Sequence, residues 1–119
     1  MTAAGPSLAQ EADCRDPQTQ TDMSLCAAQA YKKADEALNA SYRKLTQRYG
    51  GDDDAKAGLL AAQRAWIVFR DAECDLTALG VKGGSAYPMV RAMCLEALTT
   101  ERTGQLDDRL NCEEGDLSC

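Results

Sequence analysis

Six cysteines in a chain of 119 residues, with no histidine at all, restrict this protein more than any other feature. They are Cys14, Cys26, Cys74, Cys94, Cys112 and Cys119, and no two form a C-x-x-C pair. Zinc-finger and thioredoxin-like readings therefore have no support. An even cysteine count in so short a chain points to an oxidising compartment and three disulfides. Six cysteines allow 15 pairings, and the spacing alone does not choose among them. Proximity favours Cys14–Cys26, Cys74–Cys94 and Cys112–Cys119. Bridges closing loops of ten to twenty residues would contribute roughly 3 kcal/mol each in the chain-entropy model.

The rest of the composition describes one helical domain. Hydrophobic residues make up 45% and charged ones 27%, ordinary for a soluble globular chain. Alanine and leucine dominate while aromatics are few, so an all-α fold is expected. Residues 1–18 read as a flexible lead-in ending in a Cys14-anchored loop. A first helix is expected over 21–49, with Ala27, Tyr31, Ala34, Leu38, Tyr42, Leu45 and Tyr49 recurring at threes and fours until Gly50-Gly51 stops it. Asp52, Asp53 and Asp54 open a second helix as N-cap and dipole partners. Three adjacent aspartates lack the alternating ligand spacing of a calcium loop. The second helix ends near Leu79-Gly80. Ser85 is then expected to cap a third helix that tolerates Pro88 in its first turn and buries Val90, Cys94, Leu98, Leu106 and Leu110. The helical domain spans 19–112, and 113–119 form an acidic tail closed by Cys112 and Cys119. Short connections between three helices of about 25 residues predict an antiparallel three-helix bundle ~35–40 Å long, stapled by disulfides.

Residues 63–74, Gln-Arg-Ala-Trp-Ile-Val-Phe-Arg-Asp-Ala-Glu-Cys, are unusual for a packing helix. Polar Gln63 and Arg70 share a stripe with Leu60, Ile67, Cys74 and Thr77. A guanidinium on a packing face needs acceptors. Asp35, Asn39 and Tyr42 on the first helix, with Arg102 on the third, could join Gln63 and Arg70 in a polar network that sets the register of the bundle. A ligand-recognition cluster is the competing reading of the same residues. Cys14, Cys26, Cys74 and Cys94 all fall at one pole, beside the loop Gly80-Val81-Lys82-Gly83-Gly84-Ser85. Its glycines match neither G-x-G-x-x-G nor a P-loop, so a tight helix–helix turn is the simpler account. Lys82 at its tip, with Gly83, Gly84, Ser85 and Tyr87, is the candidate partner-binding surface.

Several functions are disfavoured. A net charge of −6 opposes nucleic-acid phosphates. Without histidine, a serine or cysteine nucleophile lacks its usual base, and the even cysteine set leaves no expected free thiol. The carboxylate neighbours Asp107-Asp108 and Glu113-Glu114 read as solvated. No catalytic residue, metal or cofactor is expected. No apolar run has the length of a membrane span. Residues 1–13 lack the basic and apolar regions of a signal peptide, so export would imply a leader already removed.

In order along the chain, Cys26 with Tyr31, then Ala34-Asp35-Glu36-Ala37-Leu38-Asn39 and Tyr42, form a recognisable series. It continues with Ala62-Gln63-Arg64-Ala65-Trp66, Phe69-Arg70-Asp71 and Cys74. Gly83-Gly84-Ser85, Cys94-Leu95, Leu98-Thr99 and Arg102 complete it. Together these residues resemble the LprI-type family of small secreted bacterial proteins, which includes a lysozyme-inhibiting lipoprotein. The resemblance covers about 14–110 and implies an exported helical domain with disulfides at Cys14, Cys26, Cys74 and Cys94. The pair Cys112 and Cys119 goes beyond the family pattern. A periplasmic or secreted inhibitor binding a basic lysozyme is the functional expectation. The alternative is a non-inhibitory interaction module for another envelope protein or a cell-wall fragment, which an open groove at Trp66 would favour.

Overall fold

The computed structural model describes residues 13–113, 115–117 and 119. Residues 1–12 of the expected lead-in, and Glu114 and Ser118 of the tail, lie outside that set. Three helices carry the fold: α1 (Gln20–Tyr49), α2 (Asp53–Thr77) and α3 (Tyr87–Leu110), with a 3-10 turn at Leu79–Val81 between the last two.

Local chemistry sets most of the helix ends. The Thr19 hydroxyl accepts a hydrogen bond from the Asp22 N–H at 3.0 Å and caps α1. Gly50 ends the helix at φ 55°, a conformation a Cβ would disfavour, and its N–H reaches the Thr46 and Gln47 carbonyls. Asp52 caps α2 by accepting from the Ala55 N–H at 3.0 Å, and Asp53 and Asp54 sit in the first turn near the positive dipole end. The start of α3 departs from expectation. Its N-cap position is Ala86, not Ser85, and no side chain caps it. Backbone bonds from Gly84 N to Val81 O (3.0 Å) and Tyr87 N to Gly84 O (3.3 Å) lead the chain into the helix instead. Pro88, lacking an N–H, removes one of the donors a cap would serve.

α1 and α3 run parallel and pack along much of their length, with α2 antiparallel to both. Gln20 meets Met89 at one end, Ser41 donates to Asp107 at 2.6 Å midway, and Arg48 donates to the Leu110 and Cys112 carbonyls at the other. Asp107 is thus an acceptor for a buried hydroxyl, not a merely solvated carboxylate. The core is small: Leu38 and Leu45 from α1, Leu59 from α2 and Leu106 from α3, flanked by Tyr42, Tyr49, Trp66 and Leu110. The buried stripe of α3 is Ala92, Leu95, Thr99 and Leu106, whereas the expected Val90, Cys94, Leu98 and Leu110 are half-buried. Small Ala92 and Thr99 let α1 approach closely, which turns α3 toward α1 and moves its flanking residues outward. On α2 the inner position falls to Leu59, leaving Leu60 and Ile67 at the margin.

Disulfides join Cys14 to Cys26, Cys74 to Cys94 and Cys112 to Cys119. Only the second links two helices, tying the end of α2 to the start of α3. Burying one leucine gives about 1.5–3 kcal/mol, so in a four-leucine core a bridge worth roughly 3 kcal/mol counts as much as a core residue. Replacing both Cys74 and Cys94 with serine should lower unfolding free energy by roughly 3 kcal/mol. Urea unfolding should show this as a lower midpoint with a somewhat steeper slope, because the unfolded chain without the crosslink exposes more surface.

Candidate functional site

The start of α1, the end of α2 and the start of α3 meet at one pole, and two links brace it. Cys74, fully buried, is bridged to Cys94. One turn of contact away, the Arg91 Nε donates to Asp75 Oδ1 at 2.9 Å. That hydrogen bond and the adjacent negative charge raise the Arg91 pKa above the ordinary guanidinium value. The connecting loop springs from this base. Its 3-10 turn is closed by Val81 N to Ala78 O (3.1 Å) and Lys82 N to Leu79 O (3.2 Å).

Two glycines are needed to make the turn. Gly83 has φ 85°, and a Cβ on Gly84 would come within 3.2 Å of the Val81 carbonyl. Lys82, Gly83, Gly84 and Ser85 are all exposed, while Tyr87 is half-buried. Leu76, Leu79 and Val81 are exposed close to them in the chain. A shallow, mainly apolar groove lined by Gln20, Ser24, Leu25, Ala28, Ser85 and Pro88 opens on the α1 side. The pole therefore displays Lys82, amid apolar side chains, on a braced turn. Such a surface can dock a partner. Among the described residues, no cluster of three or more His, Cys, Asp or Glu side chains could hold a metal.

The six residues expected to form one polar network are divided by the structure. Arg102 reaches Gln63 across the α2–α3 seam, its Nε donating to Gln63 Oε1 at 3.0 Å, and also donates to Gln105 Oε1 at 3.0 Å. Burial, with the like charge of Arg109 second, lowers its pKa. Arg70 is 8% exposed but does not meet Asp35. It pairs with the next residue in its own helix, donating to Asp71 Oδ1 at 3.0 Å, and lies 3.5 Å from Thr99 Oγ1. The Tyr31 ring, one helical turn before Asp35, fills the facing position with its centroid 5.6 Å from the guanidinium. Among the described residues Asp35 has one side-chain hydrogen bond, accepted from Asn39 at 3.5 Å, and Tyr42 packs on the leucine core.

Trp66 joins the two halves of the seam. Its ring centroid lies 5.1 Å from the Arg70 guanidinium and 6.0 Å from that of Arg102, within cation–π range. The ring also packs against the core and is half-buried, so it serves packing as well as the two guanidinium contacts. Tyr31, Trp66, Asp71 and Thr99 are the seam members that sequence reasoning passes over. Asp71 was discoverable, since a neighbouring carboxylate can reach a guanidinium without crossing between helices.

The chain is a disulfide-stapled all-α bundle with a guanidinium–aromatic seam and an exposed, braced loop. A family model described as lysozyme inhibitor LprI matches residues 12–106, and the chain belongs to that family. It is similar to an uncharacterised protein of Rhizobium meliloti (strain 1021), with 40% identity over 127 residues covering 96% of this chain and 91% of that protein. Its fold is similar to the 1.85 Å crystal structure of a DUF1311-family protein from Pseudomonas putida KT2440. There the TM-score is 0.73 at 23% identity, covering 80% of this chain and 97% of the other.

The seam geometry separates two carboxylates by their effect on stability. Asp71→Ala removes the one ion-pair partner that the buried Arg70 guanidinium has among the described residues and should cost roughly 1–2 kcal/mol, held down by the half-exposed carboxylate. Asp35→Ala should stay within ~0.5 kcal/mol. Thermal melts of the two variants should differ by several degrees, with Asp71→Ala the lower.

Proposed function

We propose that this protein inhibits a lysozyme by binding it through the disulfide-braced pole, with Lys82 as the leading contact. The observation that carries the reading is the placement of Lys82. It is an exposed cation on a turn whose backbone path calls for Gly83 and Gly84 and whose base is tied by the Cys74–Cys94 bridge, in a chain of the LprI family. Lysozymes hydrolyse glycosidic bonds with two carboxylates flanking the scissile bond. A lysine carried into such a cleft would pair with them and occupy the space of the substrate. A preorganised turn loses little entropy on docking.

The rest of the charge supports encounter. A net charge of −6 steers the chain toward a basic enzyme, a long-range effect that salt weakens. Three disulfides suit an oxidising, extracytoplasmic setting, and no helix among the described residues is long and apolar enough to cross a membrane. The reading assigns the chain no catalysis of its own.

Oxidised protein should slow lysis of bacterial cell walls by a basic lysozyme at low salt and do so less at high salt. Lys82→Glu should weaken inhibition at least tenfold, about 1.4 kcal/mol of binding energy. Unchanged inhibition by that variant would move the contact away from the loop. Absence of inhibition across several lysozyme types would overturn the reading in favour of a non-inhibitory envelope module.

A further inference from the structure

α2 carries apolar residues on two opposite faces, and only one of them packs against other described residues. Leu59, Gln63, Arg70 and Cys74 point inward and are buried. On the reverse face Val68, Phe69 and Leu76 are 71%, 54% and 65% exposed, and Leu79, just past the helix end, is 58% exposed. Their spacing of threes and fours continues toward the N-terminus through Ala65, Ala61, Gly58 and Ala57, all exposed. Arg64 and Asp75 are the charged residues on this strip, and both lie along one edge of it. An apolar strip six turns long, charged only along one edge, is unlike the scattered single apolar residues of an ordinary surface.

We infer that this face of α2 binds a second copy of the same chain, α2 against α2, antiparallel about a two-fold axis near Phe69. The strip is small in its first half and large in its second. Antiparallel pairing sets small against large: Ala61 opposite Leu79, Val68 opposite Ala72, and Ala65 beside Leu76. A parallel pair would place large on large at one end and leave a void at the other. Two-fold pairing also brings matching edges together. Arg64, which has no ion-pair partner among the described residues, then lies beside Asp75 of the second copy, and the contact occurs twice. Asp75 already accepts from Arg91 through Oδ1, and its second oxygen remains to receive Arg64.

The area sets the strength. At ~1.5 Å rise per residue, the strip from Ala57 to Leu79 is about 33 Å long. Two such faces with their flanking side chains bury on the order of 1,000 Å², the lower edge of a specific interface. Repulsion between two chains of charge −6 acts against it. The dimer is therefore weak and concentration-dependent, forming in the micromolar range or above. It goes beyond lysozyme binding and needs no contact from Lys82.

Sedimentation equilibrium of the full oxidised chain at ~0.15 M salt tests the inference. Wild type should shift from monomer to dimer with concentration. Ala65→Glu should weaken the dimer at least tenfold with an unchanged helical melting curve. Arg64→Asp should weaken it about threefold or more, and Arg64→Asp combined with Asp75→Arg should recover most of that loss. A wild type that stays monomeric throughout, or a dimer indifferent to Ala65→Glu, overturns the inference. A monomer whose binding to lysozyme is lost in Ala65→Glu overturns it too, because the face then belongs to the enzyme.

Discussion

One buried guanidinium and one buried disulfide hold α2 to the rest of the molecule. Arg70 stands among Tyr31, Trp66, Thr99 and Asp71, and Cys74 bridges to Cys94 one turn further on. α1 and α3 need neither to pack, since Ala92, Leu95 and Thr99 already let them approach closely. α2 has only Leu59 in the central cluster. Its attachment depends on polar and covalent contacts more than on buried apolar area. A guanidinium suits that role because its flat faces stack on rings while its edges donate hydrogen bonds.

That mode of attachment shapes both surfaces of interest. Clamping the C-terminal end of α2 to α3 leaves a short connection that must reverse direction within a few residues. Gly83 and Gly84 make the reversal possible, and Lys82 is carried outward at its tip. A helix held along one narrow seam also keeps its far side uncovered. The strip from Ala57 to Leu79 is the result. The proposed inhibitory contact, led by Lys82, and the proposed self-association along α2 meet at Leu76 and Leu79, where one weakly embedded helix passes into its following turn.

Much of the fold was legible because it depends on local rules. Thr19, Gly50 and Asp52 act through bonds to residues within four positions, so helix ends at α1 and the start of α2 follow from spacing. Ser85 shows the limit: a good capping residue is bypassed when backbone turns and Pro88 already lead into the helix. The polar seam was only partly legible. Gln63, Arg70 and Arg102 stand out as polar residues on packing stripes, but partner choice depends on helix rotation. A small turn of α1 places Tyr31, and not Asp35, opposite Arg70. The outward strip of α2 was harder still, because Leu60, Ile67, Phe69 and Trp66 all read as core until one face is known to be empty.

The sequence by itself determined the helical class, the number of helices, the cysteine spacing that favours three local bridges, and the family. These follow from composition, periodicity and ordered motifs, which are one-dimensional properties. Tertiary structure alone decided that α1 and α3 form the intimate pair, that Arg70 pairs within its own helix, and that α2 is apolar on a face that the other described residues leave exposed. Those outcomes depend on the rotation of each helix about its own axis. A helix with apolar residues all round does not encode which face turns inward; only the neighbours it packs against select it.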